Sequence, residues 1–460
     1  MKRSASPAGA SLPATPFYFH RATPWGEGGI ALFELYGESA RAVLEARFRP
    51  LRGGLPAPGQ AAFGDWIERD GQSLDEAILT GMPSSASWSR LECWTVSVHG
   101  GTWIQQRLRE SLGEDGGEYL EVDGVLRLAL RLGALDAVQA CAYRCLLDAA
   151  TPRSAAFLTR QYQGALSREL RRLEAVLEAC SGASGDAVRG VQEVRAAVDA
   201  LLEQATLGLR LATPLRLLIA GAPNAGKSTL FNALVEDERV AVAPVSGTTR
   251  DVIEEFIALE DCPVVLADSA GLRAGEDVVE RLGVERTLER MEPADSDAIL
   301  YLVRPPWRLT RAEEGLLERL SPARLLLVAT QLDRWDPEGA SAVEGASATV
   351  PAAPVRSSAD AEALLAGARA QLDGSKATQG MPVVAISART GEGMDVLRQS
   401  IVERWIGAVP RTIPEPDAAP FTSAQVVSLE RAANLLGASE PDLDVVRRIF
   451  LECLDFWPPT

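Results

Sequence analysis

The stretch LRLLIAGAPNAGKSTLFNALVE, residues 215–236, decides how this chain is read. An apolar run of strand length enters Gly221-Ala222-Pro223-Asn224-Ala225-Gly226-Lys227-Ser228, which fits G-x4-G-K-[ST], and a helical pattern follows at once. The glycines permit a tight loop around an anion, and the loop N–H groups and helix N-terminus face phosphate. In that loop Lys227 reaches the outer phosphate oxygens and Ser228 ligates Mg2+. The expectation is a nucleoside triphosphate site.

Working outward, the run PVVLADSAG (263–271) ends in Asp268-Ser269-Ala270-Gly271. A carboxylate at the end of a neighbouring strand holds Mg2+, and Gly271 lets a backbone N–H meet the terminal phosphate. Between the two motifs, SGTTRD (246–251) supplies hydroxyls, Thr249 among them, where a switch loop closes over the metal. Leu272 follows the second motif and, being apolar, orients no water, so catalysis needs another group. Further on, RLLLVAT (324–330) leads into Thr330-Gln331-Leu332-Asp333. Asp333 has two acceptors for guanine N1–H and N2–H2, whereas Gln331 stands where a lysine usually covers the purine. Ile386-Ser387-Ala388, ending MPVVAIS (381–387), fits a backbone contact to guanine O6. With DAILYLV (297–303), these strands alternate with amphipathic helical patterns, which implies a parallel sheet covered on both faces.

The whole chain has 460 residues, about three domains at roughly 150 residues each. Its 47% apolar and 24% charged content is globular. No apolar stretch nears the roughly 18–20 residues of a membrane helix, and MKRSASPAGASLPAT at the start has no apolar segment behind its basic tip. A soluble, cytoplasmic protein is expected. With 46 Lys+Arg against 63 Asp+Glu the net charge is −17, which argues against broad nucleic-acid binding but leaves room for one local basic surface. Six scattered cysteines form no metal pair or disulfide framework, and His20 and His99 alone make a histidine metal site improbable. Cys141 and Cys145, at i,i+4, read as core, and the tryptophan-rich N-terminal zone reads as packing for want of basic residues interleaved in the sequence.

The expected fold is multidomain: an α/β P-loop GTPase domain inserted into an α-helical domain, with an N-terminal α+β domain. Residues 1–15 are a disordered tail and 16–118 the α+β domain. The segments 119–212 and 413–460 form the helical domain. The GTPase domain is 213–412, with an Ala/Ser/Gly/Pro-rich flexible insertion at 336–380.

PNAGKST (223–229), GTTRDV (247–252), DSAGLRAGEDVVERLGVERT (268–287) and SARTGEGMDVL (387–397) together resemble the tRNA-modification GTPases of the TrmE/MnmE type. TPWGEGGIALFELYG (23–37) and a segment ending His99-Gly100-Gly101 are similar to that family's folate-binding N-terminal domain. The resemblance implies GTP hydrolysis in tRNA wobble-uridine modification, a homodimer, a flavoprotein partner and no membrane association. It also implies K+ held by Asn224, Ala243, Val245 and Thr248, and Glu280 positioning the attacking water. With Lys227 and Thr249, Glu280 completes the candidate catalytic set; Arg273 is read as structural. The implied nucleotide contacts are Asn224 to Thr229, Gly271, Thr330, Asp333, Ser387 and Ala388.

Two departures stand out. The family's C-terminal cysteine position is taken by Leu454, one residue beyond Cys453, which is read as core-facing. Ser87-Trp88-Ser89-Arg90-Leu91 replaces the family's Y-T-G-E-D phrase, and only ALRLGALD (129–136) remains of a helical phrase, which speaks against binding of a folate derivative. Two alternatives follow: a GTPase switch or assembly factor without the modification chemistry, and an NTPase of relaxed base choice.

Overall fold

The computed structural model describes residues 16–180, 185–238, 254–268, 296–334, 366–372, 378–407, 417–438 and 441–455. The chain divides into two compact units, one running to Arg144 and taking in Leu454 and Asp455, the other Cys145–Cys453.

In the first unit, strands β1 (Phe17–Arg21), β2 (Ile30–Tyr36), β3 (Phe48–Pro50), β4 (Ala61–Ile67), β5 (Ser73–Met82), β6 (Cys93–His99) and β7 (Gly117–Tyr119) form one sheet. Its order is β3-β4-β5-β6-β2-β1-β7, antiparallel except for the parallel β1–β7 pair. The two faces separate by the period-2 rule. Phe33, Leu35, Trp94 and Val96 join Val43 and Leu44 of α1 (Glu38–Arg47) and Leu108 and Leu112 of α2 (Thr102–Glu114) in one core. Tyr36 and Cys93, opposite each other in register, pack instead with Val125 and Leu128 of α3 (Val122–Arg131). A buried ion pair joins the two helices of the first face: Arg47 donates to both Asp115 oxygens at 2.6 and 2.7 Å, with Asp115 the C-terminal cap of α2.

After α4 (Ala137–Leu147), the second unit contributes α5 (Pro152–Tyr162), α6 (Ala165–Ala179), α7 (Gly185–Glu203) and α8 (Ala205–Ala212). Next come β8 (Leu215–Gly221), α9 (Lys227–Glu238), β9 (Glu254–Leu259), β10 (Cys262–Asp268), β11 (Ala298–Val303), α10 (Arg311–Leu317), β12 (Leu325–Ala329), β13 (Val383–Ala385) and α11 (Met394–Ile401). The sheet order is β13-β12-β11-β8-β10-β9, parallel except for the β9–β10 hairpin at the edge. β8, β11 and β12 are almost continuously buried, as strands covered on both faces must be. Helices α12 (Ser423–Leu436) and α13 (Leu443–Asp455) follow. α7 packs against both α6 and α12, and Arg447 donates to Glu174 of α6 at 2.6 and 2.9 Å.

The expected insertion at 336–380 needs correction at its C-terminal end. Residues 335–365 and 373–377 lie outside the description, but 366–372 is a short helix whose Ala368 and Leu372 are buried in the same core as Leu325 and Leu327. These apolar side chains cover a sheet face that would otherwise meet water. Cys141 and Cys145 are half-buried and not core, because α4 buries its N-terminal turns, Ala137 to Ala140 and Ala142, more deeply than the rest. Among the described residues no helix is long and apolar enough to cross a membrane.

Candidate nucleotide-binding site

The loop between β8 and α9 is held in a shape few residues tolerate. Gly221 (φ 141°) leaves the sheet so close to β11 that a Cβ there would collide with the Leu302 carbonyl. Asn224 and Gly226 also have positive φ, 61° and 95°, and this alternation turns successive N–H groups toward the loop's hollow. Lys227 opens α9, and its ammonium donates to the carbonyls of Gly221 and Ala222, both at 2.9 Å.

The base-site segment is bonded directly to this loop. The Thr330 hydroxyl donates to the Ala225 carbonyl at 2.8 Å, and the Gln331 amide donates to the neighbouring Asn224 carbonyl at 2.9 Å. Gln331 reaches it from a left-handed backbone conformation, φ 60°. Asp333 follows, with one carboxylate oxygen accepting from the Ser387 hydroxyl at 2.8 Å and the other 4.0 Å from Arg389. Ser387 is fully buried and also bonds to the Thr390 N–H at 3.3 Å, which fixes the turn after β13. Behind that turn Gly393 (φ 75°) passes too close to the Ala385 carbonyl for any side chain.

These segments enclose a cleft of about 720 Å³ at the C-terminal ends of β8, β12 and β13, where parallel sheets of this kind bind ligands. Asn224, Gly226, Lys227, Ser228, Thr229, Thr330, Asp333 and Ala388 all line it, while Ala225 and Ser387 sit buried behind the wall. The β10 backbone brings Asp268 opposite Ile219 of β8. Ala243, Val245, Thr248, Thr249, Gly271, Leu272, Arg273 and Glu280 lie outside the described residues, as does the Asp268 side chain. Reading the sequence missed Arg334 and Arg389, which line the cleft; a cation one residue beyond Ile386-Ser387-Ala388 was the available signal. It also treated Gln331 as a loss alone, whereas its amide holds the phosphate loop.

The other candidates are engaged elsewhere. His99 bonds through Nδ1 to Asp75 at 2.8 Å, and that carboxylate raises its pKa. His20 bonds to the Leu120 carbonyl at 2.9 Å. Cys453 is half-buried, and burial pushes its thiol up. Trp66 is core, but Trp25 and Trp103 are 50% and 68% exposed, so packing does not account for the whole tryptophan-rich zone. Among the described residues no group of three or more His, Cys, Asp or Glu could hold a metal.

Two family models match the chain: "GTP-binding protein TrmE N-terminus" over residues 19–129 and "50S ribosome-binding GTPase" over residues 216–331. A tRNA modification GTPase MnmE from Chloroflexus aurantiacus is 32% identical, over 92% of this chain and 88% of that protein. Those from Acinetobacter baylyi (34% identical, 68% of this chain and 71% of that one) and Roseiflexus castenholzii (31%, 84% and 81%) agree. Aquifex aeolicus Era bound to GDP and aluminium fluoride aligns over 49% of this chain and 69% of that one, at 20% identity and a TM-score of 0.28, too slight a likeness to carry weight. The likeness to the MnmE proteins over most of their length favours the modification GTPase over the assembly-factor and relaxed-NTPase alternatives. This chain belongs to the MnmE family of tRNA modification GTPases.

Proposed function

We propose that the chain binds GTP in the β8–β12–β13 cleft, hydrolyses it, and acts in modification of the tRNA wobble uridine. The observation that carries this reading is convergence: Lys227, Ser228 and Thr229 meet Asp333 and Ala388 in one cleft. Lys227 and the α9 N-terminus hold the phosphates, and Asp333, oriented by Ser387, accepts from guanine. Ser228, Thr249 and Asp268 are the oxygen donors for Mg2+, the hard-ligand set that ion takes, and bound Mg2+ neutralises charge on the phosphates. Asn224, Ala243, Val245 and Thr248 are assigned to K+. The positive φ of Asn224, held by the Gln331 bond to its carbonyl, supports a fixed role for it at the loop's mouth. Glu280 is assigned to orienting the attacking water.

The GTPase domain, 213–412, is read as inserted into a helical domain of 119–212 and 413–460, which the packing of α12 on α7 and of α13 on α6 supports. A homodimer, a flavoprotein partner and a cytoplasmic location complete the reading. Folate is left out of it. Trp88, in the segment replacing the family's phrase, stacks on Tyr143 with centroids 4.5 Å apart and donates to the buried Glu34 at 2.9 Å. Those side chains are engaged with one another, which speaks against binding of a folate derivative there.

Two experiments test this. The purified chain should hydrolyse GTP faster in KCl than in NaCl at matched ionic strength, with GTP affinity little changed; ATP competing equally would remove the guanine assignment. Expressed in a strain lacking its own family member, the chain should restore the modified wobble nucleoside, measured by mass spectrometry. Hydrolysis without restoration would support the switch reading.

A further inference from the structure

At the C-terminal end of β1 a buried positive charge lacks a counter-ion. Arg21 is only 4% exposed, yet just one of its three nitrogens is satisfied, with Nη1 donating to Gln105 Oε1 at 2.8 Å. Nε and Nη2 are buried with no hydrogen-bond partner, and among the described residues no carboxylate pairs with this guanidinium. Burying an unpaired charge is costly, so such an arrangement calls for an anion. Gln105 cannot turn away to help, because its own amide donates to the carbonyls of Gly26 and Gly100 at 2.9 and 2.6 Å.

Over the guanidinium lies Trp25, whose ring centroid is 3.9 Å from the Arg21 central carbon and whose indole is half in solvent. A second guanidinium, of the exposed Arg109 on α2, stands 5.5 Å from the Trp25 ring and 4.3 Å from the Tyr119 ring. Arg109 has no ion pair either among the described residues. Two unpaired cations and an exposed flat ring therefore sit together on a chain of net charge −17.

We propose that Trp25, Arg21 and Arg109 form a contact for an unpaired nucleotide of RNA, the indole stacking on the base and the guanidinium groups taking the adjoining phosphate. Unpaired bases are recognised by aromatic and guanidinium planes. The Trp25 ring lies over the Arg21 guanidinium, so in this proposal a base that draws the half-exposed indole outward would uncover the buried group for the phosphate. The inference rests on the tRNA reading and gives it a surface. Arg21 and Trp25 are near neighbours in the sequence, from β1 and its following loop, and the fold brings Arg109 of α2 to the same ring.

The test uses the full chain, a fluorescent anticodon stem–loop transcript, and a fully paired hairpin of equal length. The stem–loop should bind more tightly. Trp25→Leu should weaken stem–loop binding by roughly tenfold without changing its salt dependence, and Trp25→Phe should recover most of the loss. Arg109→Gln should lower the steepness of the log affinity–log salt plot by about one. Retained GTP hydrolysis and an unchanged melting temperature show that each variant is folded. Tight stem–loop binding unaffected by either substitution would overturn this contact and leave the tRNA role standing. Equal losses on the paired hairpin would overturn the stacking, and failure of the parent chain to bind either RNA would overturn both readings.

Discussion

The carboxylate of Asp333, the proposed base acceptor, is already engaged on one side by Ser387. Asp333→Asn places an amide where an acceptor is needed and strands two guanine donors. GTP affinity should fall by roughly a hundredfold or more while xanthosine triphosphate gains, read by competition against a fluorescent GDP analogue. Gln331→Lys should keep a donor for the Asn224 carbonyl and add a cation over the purine, tightening GTP by about two- to thirtyfold in the same assay. His99 offers a pH readout, since the chain has only two histidines. Its folded pKa is raised by Asp75, so the pair's stabilisation is fully present below about pH 6.5 and is lost as pH rises through the folded value. Asp75→Asn should move that proton resonance's titration back toward about 6.5. That Lys227, Ser228 and Asp333 share one cleft was legible in the sequence, because each belongs to a short contiguous motif. The Gln331–Asn224 bond spans 107 positions and had no local signature, whereas Arg389, which faces Asp333 from another strand's end, was signalled only by its place next to Ala388.

Elements were legible in proportion to how completely they are buried. β11 and β12 read as unbroken apolar runs, and β8 as one interrupted only by Arg216. β9 was missed: an antiparallel edge strand beginning Glu254-Glu255 carries little of the apolar signal of a central one. Where an element's end is fixed by a contact, a prediction follows. Gly221→Ala must adopt φ 141° against the Leu302 carbonyl, adding about 1–3 kcal/mol of strain before the clash is counted. Its melting temperature should drop and its GTP binding should be lost together. In the first unit, Asp115→Ala leaves Arg47 buried without its partner. Chemical denaturation should show a loss of about 3–5 kcal/mol, far beyond what a surface pair contributes.

At the scale of the whole molecule, an acidic protein that meets RNA must do so through few contacts. Affinity for the stem–loop should fall with salt at a log–log slope of about −1.4 to −2.7, the range for two or three neutralised phosphates, read from titrations between 50 and 200 mM KCl. The succession of element types along the chain was legible, from a strand-rich start through helices to alternating strands and helices and a helical end. The division at Arg144 was not. It falls within α4, where no proline, glycine or change of period marks it in the sequence.

The two hydrogen bonds from Thr330 and Gln331 to the carbonyls of Ala225 and Asn224 tie the purine end of the cleft to its phosphate end. A grip built this way is blind to the third phosphate, because it clasps the parts that substrate and product share. If the cleft holds nucleotide as proposed, substrate and product should feel this clasp alike. Thr330→Val, which removes the bond to the Ala225 carbonyl, should then shorten the residence of GDP and GTP by similar factors in a stopped-flow release assay.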